Sequence, residues 1–235
     1  DVLAGLAIAQ YYSKGFENIF LPPVLWLCVS TACLYAGGVV LNDVFDAELD
    51  AVERPERPIP SGLIKKSTAG IFGALLLLLG IVSAAFIHDS FFSISFFIAL
   101  AIAAASVIYD GWGKHHFLLG PLNMGLCRGL NLALGISIVL AALQQYWYLG
   151  LVPIVYMTAI TAISRGEVHG GRRRVLFLAA FLYALVIATI LALGFKNGQL
   201  FVALPFLVLF AFLIFTPLQK AIVSPVGQRI GKAVK

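Results

Sequence analysis

The feature that most constrains this chain is a series of long apolar segments separated by short polar loops. Seven segments are each long enough to cross about 30 Å of hydrocarbon as a helix. They span residues 19–43, 68–87, 91–109, 118–143, 147–163, 175–195 and 200–216. Membrane β-strands would instead alternate polar and apolar residues over about ten positions. The pattern therefore predicts an all-α fold, a multi-span transmembrane helical bundle.

The composition supports a membrane protein. Hydrophobic residues make up 61% of the chain and charged residues only 11%, whereas a soluble domain carries about 25% charged residues. This excludes an ordinary water-soluble enzyme and a disordered chain. The basic residues form no continuous patch along the sequence, so we expect no nucleic acid partner. Cys28, Cys33 and Cys127 lie in apolar segments, which predicts buried small side chains and no disulfide framework.

The two ends of the chain resemble parts of helices. The apolar run 2–13 is too short to span a bilayer, and Ser224-Pro225 resembles a helix start with proline at its first position. We therefore expect a nine-helix bundle whose first and last helices are trimmed here. Residues 1–235 are predicted to form a single transmembrane domain.

The loop charges predict an orientation. One set of loops carries ten basic residues, and the loops on the opposite side carry only Lys14 and Lys196. The ten are Arg54, Arg57, Lys65, Lys66, Lys114, Arg165, Arg172, Arg173, Arg174 and Lys220. Basic loops normally stay in the cytoplasm. We expect an integral, multi-pass membrane protein whose longer polar loops, and any active site, lie on the cytoplasmic side.

Acidic residues cluster at the end of the second apolar segment. Six of the eleven lie between residues 43 and 56, and no proline or glycine interrupts residues 41–50. The helix should continue there and place Asn42, Asp46 and Asp50 on one face, with Asp43 beside them. Carboxylates at this spacing repel one another, whereas Mg²⁺ prefers such oxygen ligands together with substrate phosphates. These four residues are the predicted Mg²⁺ ligands; a solvated acidic helix end is the alternative.

A proline-rich loop follows the acidic residues. Three prolines within six residues of the stretch 53–62 cannot continue a helix and predict an extended, stiff loop. Arg54 and Arg57 would lie on this loop beside the acidic residues. A guanidinium group can bind two phosphate oxygens at once. The alternative is that both arginines serve only to set the membrane orientation.

These residues carry a resemblance to a known family. The run Asn42-Asp43-x-x-Asp46-x-x-x-Asp50, followed by Arg54-Pro-x-Arg57-Pro, resembles the first aspartate-rich motif of the UbiA superfamily of intramembrane prenyltransferases. The resemblance implies a nine-helix bundle with a polar cavity open to the cytoplasm. It implies that Mg²⁺ on the motif binds an isoprenyl diphosphate, whose tail occupies a lateral hydrophobic tunnel, with Asp46 and Asp50 essential for catalysis.

Two further elements fit the resemblance. Tyr109 and Lys114 are similar to the family's tyrosine–lysine element, whose lysine contacts diphosphate, although the gap here is one residue longer. Arg128 and Asn131 interrupt an apolar segment, where a charge costs about 2.5–3.5 kcal/mol and normally faces a cavity with a partner. Both are expected to bind substrate; a contact between helices is the alternative.

One motif departs from the family. A second aspartate-rich motif, Asp-x-x-x-Asp, is expected at the end of the sixth span, but residues 164–171 contain only one acid, Glu167. Arg165 is expected to bind phosphate directly in place of a metal, and Glu167 is the candidate catalytic base. The pattern resembles the EboC-like branch of the superfamily.

The predicted function is Mg²⁺-dependent transfer of an isoprenyl group from a prenyl diphosphate to an unidentified acceptor, among membrane lipids. The metal and the basic residues would stabilise the charge that develops on the leaving diphosphate. Because the second motif is degenerate, a prenyl-phosphate or lipid binding or transport component is the alternative. The longer aspartate signature of CDP-alcohol phosphotransferases is absent from the sequence, and a transporter should carry its ionisable residues near the midplane.

Overall fold

The structure is a computed structural model that describes residues 1–14, 21–116, 118–164 and 173–234. Within these ranges it contains ten α-helices, two short 3-10 helices and no strand. The α-helices are α1 (Val2–Tyr12), α2 (Leu21–Glu53), α3 (Lys66–Ala85), α4 (Ile94–Gly111), α5 (Leu119–Ile136), α6 (Leu140–Tyr146), α7 (Leu151–Ser164), α8 (Arg173–Lys196), α9 (Leu200–Val223) and α10 (Gly227–Val234). The predicted all-α fold is confirmed.

Six helical stretches of the described chain have the length and composition to cross a membrane. They are α2, α3, α4, the stretch Leu140–Ser164, α8 and α9. This supports an integral, multi-pass membrane protein. The predicted span 118–143 is wrong, because α5 ends at Ile136 and a separate helix begins at Leu140. α5 also carries Arg128 and Asn131, which makes it less apolar than its neighbours.

The chain divides into two compact units, and the first holds the acidic motif. This unit comprises Asp1–His116 and Leu126–Gly150. Its core is built from α2, α3, α4 and the second half of α5, around Leu34, Leu77 and Ile102. The second unit comprises Phe117–Gly125 and Leu151–Lys235. A single domain over residues 1–235 stays a prediction.

The second unit has its own core. In it α7, α8, α9 and α10 pack around Ile163, Leu176, Tyr183, Leu218 and Ile230, each about 1% exposed or less. None of the described residues of this unit is acidic. The carboxylates predicted to bind metal therefore all lie in the first unit.

The helix that carries the acidic motif is unusually long. α2 has 33 residues, so it measures about 50 Å and exceeds the roughly 30 Å thickness of a hydrocarbon core. Its apolar first half accounts for the membrane crossing. Its last turns, with the acidic residues, can therefore reach beyond the lipid tails.

Small residues fix α2 against α3. A methyl group on Gly37 of α2 would lie 3.0 Å from the carbonyl oxygen of Gly73 in α3. A methyl group on Gly80 would lie 2.8 Å from Cγ of Leu34 and 3.0 Å from the carbonyl oxygen of Ser30. Such glycines let two helix backbones approach closely inside a membrane. These contacts set the position of α2 against α3.

We expect Gly80→Ala to destabilise the protein by about 1–3 kcal/mol, because the added methyl group overpacks a helix interface that cannot move apart locally. Thermal unfolding of the detergent-solubilised protein measures the effect. Gly70→Ala in the same helix is the matched control, since its methyl group would meet only Cγ1 of Val44 at 3.9 Å. Equal melting temperatures for the two variants would contradict the close packing.

Candidate functional site at the acidic end of the second helix

The helix continues through the whole acidic motif, as predicted. α2 runs without a break past Asn42, Asp43, Asp46 and Asp50 to Glu53. Their burial differs, however, because the exposed fraction of the Asp50 side chain is 7% and that of Asp43 is 44%. The four residues therefore meet different neighbours.

Two of the four side chains contact the end of α4 and the turn that follows it. The amide Nδ2 of Asn42 donates a hydrogen bond to Oδ1 of Asp110, at 2.9 Å. Nζ of Lys114 lies 2.5 Å from Oδ1 of Asp46, and both of these side chains are largely buried. The predicted diphosphate-binding lysine thus lies directly beside the acidic motif. Tyr109, the other half of its element, is half-buried in α4.

The other two carboxylates share one arginine. Nη1 of Arg57 lies 2.6 Å from Oδ2 of Asp50 and 3.1 Å from Oδ1 of Asp43. The hydrogen bond that Arg57 donates to Asp50 raises the pKa of the Arg57 guanidinium, so this cation keeps its charge. One nitrogen of Arg57 therefore lies between two carboxylates of α2, where its positive charge is stabilised.

The loop that carries Arg57 is not extended, contrary to the prediction. Residues 55–64 form turns and bends, and the backbone N–H of Arg57 donates to the carbonyl oxygen of Arg54 at 3.0 Å. Pro55 is the second residue of that turn, and Pro60 holds the same place in a later one, where its fixed φ favours a turn. The prolines therefore fold the loop back onto α2. The Arg54 side chain is exposed.

A cavity of about 420 Å³ lies between α2, this loop and α3. Asp43, Asp50 and Arg57 contribute to its wall, and most of the remaining lining is apolar, including Ile59 and Phe72. The charged group thus borders an apolar space. Such a combination suits a ligand with a polar head and an apolar chain.

The predicted ligands do not converge on one point. Among the described residues, no three His, Cys, Asp or Glu side chains are grouped as a metal site. The reason is geometric, since residues eight apart on a helix differ in direction by about 80°. Asn42 and Asp46 consequently face α4, whereas Asp50 faces the loop. The donor chemistry still fits a hard cation, because all four residues offer oxygen and the three carboxylates each lie beside a cationic nitrogen.

The two α5 residues that were expected to bind substrate, Arg128 and Asn131, contact other parts of the first unit. Asn131 donates from Nδ2 to Oγ1 of Thr31 in α2, at 2.7 Å. Thr31 precedes Asn42 by eleven residues, which is about 16 Å along the helix. Arg128 lies 3.2 Å from a carboxylate oxygen of Asp1. The structure does not bring Asn131 to the acidic motif, and it favours the alternative of a contact between helices for that residue.

The residues of the degenerate second motif cannot be placed. Arg165 and Glu167 fall within 165–172, which lies outside the described residues. Their roles in binding phosphate and in proton transfer stay predictions.

Sequence reasoning missed Asp110. This residue is 4% exposed at the end of α4, and it contacts a predicted ligand directly. In the sequence it stands between Tyr109 and Lys114. The available signal was an acidic residue at the end of an apolar helix, which is costly unless it has a partner.

Comparison with known proteins identifies the family. The model of the UbiA prenyltransferase family matches residues 2–221. The chain belongs to the UbiA prenyltransferase family. It is similar to digeranylgeranylglyceryl phosphate synthases: it is 34% identical over 169 residues to that of Sulfurisphaera tokodaii, covering 71% of this chain and 58% of the relative. It is 42% identical over 85 residues to that of Methanocaldococcus jannaschii, covering 36% of this chain and 29% of the relative.

The chain thus spans 58% of the length of the Sulfurisphaera tokodaii relative. A solved structure described as giving insights into the biosynthesis of digeranylgeranylglyceryl phosphate synthase in membranes has the same fold, with a TM-score of 0.73 and 22% identity. The match covers 99% of this chain and 85% of that one. These relatives confirm the resemblance to the UbiA superfamily, and placement in the EboC-like branch stays a prediction.

We expect Asp50→Asn to loosen the 54–65 loop more than Asp43→Asn does. Asp50 is the more buried partner of Arg57 and makes the shorter contact, and exposed ion pairs contribute little. Hydrogen–deuterium exchange of the loop amides measures the difference. Faster exchange in Asp43→Asn than in Asp50→Asn would show that the exposed carboxylate holds the loop.

Proposed function

We propose that this UbiA family protein transfers an isoprenyl group from a prenyl diphosphate to an acceptor within the membrane, in a Mg²⁺-dependent reaction. The observation that carries the proposal is the paired arrangement at the end of α2. There Arg57 joins Asp43 and Asp50, and Lys114 joins Asp46. Oxygen atoms that suit Mg²⁺ thus lie beside basic groups that suit phosphate oxygens.

The charges indicate how a diphosphate would bind. Asn42, Asp43, Asp46 and Asp50 would hold Mg²⁺, which would neutralise the leaving diphosphate. With these carboxylates occupied by the metal, Arg57 and Lys114 would have their positive charge available for phosphate oxygens. A guanidinium binds two such oxygens at once, and Lys114 supplies a point charge. Side chains already at the site can therefore stabilise the negative charge of the departing group.

The bond changes follow from this arrangement. The bond between the allylic carbon and the bridging oxygen of the diphosphate breaks, and a new bond forms between that carbon and the acceptor nucleophile. The proton of the nucleophile passes to a base, for which Glu167 is the candidate. An apolar surrounding keeps water away from the allylic cation, and the apolar lining beside Arg57 is consistent with this need.

The relatives suggest a class of acceptor. They are named digeranylgeranylglyceryl phosphate synthases, and their product carries two geranylgeranyl groups on a glyceryl phosphate. We propose a glyceryl phosphate lipid as acceptor and geranylgeranyl diphosphate as donor. The hydroxyl oxygen of the glyceryl group would then be the nucleophile.

The proposed site lies on the cytoplasmic side. The loop after α2, the first residue of α3 and the turn after α4 together carry five basic residues, Arg54, Arg57, Lys65, Lys66 and Lys114. Basic residues of short loops favour the cytoplasmic face. The phosphate-bearing head groups of the proposed donor and acceptor would enter the site from that side.

We expect Asp46→Ala and Asp50→Ala each to lower prenyl transfer by at least about 100-fold, as loss of a group that stabilises the reacting charge does. The assay follows radiolabelled geranylgeranyl diphosphate into a glyceryl phosphate lipid, with Mg²⁺ and with a chelator. Asp89→Asn is the control, because Asp89 is an exposed acid in the loop after α3.

Normal transfer by the Asp46→Ala protein would contradict the proposal. Mg²⁺-dependent binding of the prenyl diphosphate without turnover, over a broad panel of acceptors, would instead support a lipid-binding or transport component.

A further inference from the structure

A buried carboxylate outside the recognised motif contacts the proposed metal site. Asp110 is 4% exposed at the last turn of α4, and its Oδ1 lies 2.9 Å from Nδ2 of Asn42. It also interacts electrostatically with Lys114 and Asp46. Ionisable residues in apolar helices are costly and usually serve a function.

We propose that Asp110 is a positioning residue that orients the side-chain amide of Asn42 for metal binding, an inference that rests on the proposed function. A carboxylate can only accept hydrogen bonds, whereas an amide offers an NH₂ donor on one side and an oxygen on the other. Asp110 therefore holds the NH₂ group of Asn42. The amide oxygen, which is the atom that can bind a cation, is left for the metal.

The alternative is that the hydrogen bond only joins α2 to α4. Those two helices have other close contacts, because Gly38 lies against the Ser106 side chain and the ring of Phe45 lies against Gly111. Their packing therefore does not depend on Asp110. The rotation of the Asn42 amide does depend on it, because Oδ1 of Asp110 accepts the hydrogen bond that Nδ2 of this amide donates.

The test measures binding without turnover. Radiolabelled geranylgeranyl thiodiphosphate, an unreactive analogue, is bound to the purified protein in detergent, and the Mg²⁺ concentration that gives half-maximal binding is determined. We expect Asp110→Asn to raise that concentration about 10–100-fold, the usual effect of removing a group that orients a metal ligand. The binding capacity of Asp110→Asn at saturating Mg²⁺ should stay near the wild-type value. If part of the variant protein were simply unfolded, the binding capacity would be lower.

Two double variants separate positioning from a general loss of structure. If Asp110 acts through Asn42, then Asp110→Asn should have no further effect in an Asn42→Ala background. The reciprocal exchange, Asn42→Asp with Asp110→Asn, restores an amide–carboxylate hydrogen bond with the donor on α4. We expect this exchange variant to fold and to need less Mg²⁺ than Asp110→Asn does, even if Asp110→Asn alone is unstable.

Ser95→Ala is the matched structural control. Ser95 is a buried residue near the other end of α4, and its hydroxyl lies 2.7 Å from that of Ser137. It stands fifteen residues from Asp110, which is about 22 Å along the helix. Its loss should leave the Mg²⁺ requirement unchanged.

The outcomes distinguish this inference from the proposed function. If Asp46→Ala still binds the analogue with the wild-type Mg²⁺ requirement, the proposed metal site is wrong and the inference with it. If Asp46→Ala loses Mg²⁺-dependent binding while Asp110→Asn keeps the wild-type requirement, only the inference is overturned. The inference would also be overturned if the exchange variant folds but needs as much Mg²⁺ as Asp110→Asn does.

Discussion

Negative charge at the end of one helix is the constraint on which the rest of the site depends. Three aspartates between residues 43 and 50 stand within two turns of α2, and like charges at this spacing destabilise a helix. The protein neutralises them from two directions. Arg57 reaches back from the following loop, and Lys114 reaches in from the turn after α4. These two basic residues therefore offset the repulsion between the aspartates of this helix end.

Under the proposed function, the same balance would let Mg²⁺ take the place of a basic side chain beside these carboxylates. Each carboxylate already lies within about 3 Å of a cationic nitrogen, so a divalent ion would enter a position that favours positive charge. The side chains it replaces stay nearby and carry the charge that a diphosphate needs. Because the metal and the diphosphate bring opposite charges, their joint binding leaves the total charge of the site little changed, whereas either alone would unbalance it.

Sequence patterns predicted much of the fold and part of the site. The apolar segments predicted the helices, because the thickness of the bilayer sets the length of a membrane-spanning helix. The uninterrupted run 41–50 predicted that α2 continues through the acidic motif. The grouping of the acids was not predictable from spacing alone, because it depends on which neighbour each side chain meets. Asp110 was missed for the same reason, since its partner is 68 residues away in sequence. The folded form of the proline loop was not predictable from the sequence, because it depends on the contact of Arg57 with the carboxylates of α2.

The position of the site at a helix end follows from the cost of charge in lipid. A charged side chain at the bilayer centre costs about 2.5–3.5 kcal/mol even on insertion scales, so a cluster of five ionised groups would not be stable there. Farther down α2, the polar contact is the neutral pair Thr31 and Asn131. The charge density therefore falls along the helix from its acidic end towards its apolar half. A substrate with a charged head and an apolar chain has the same gradient, and it would align along α2 with its reacting bond near the carboxylates.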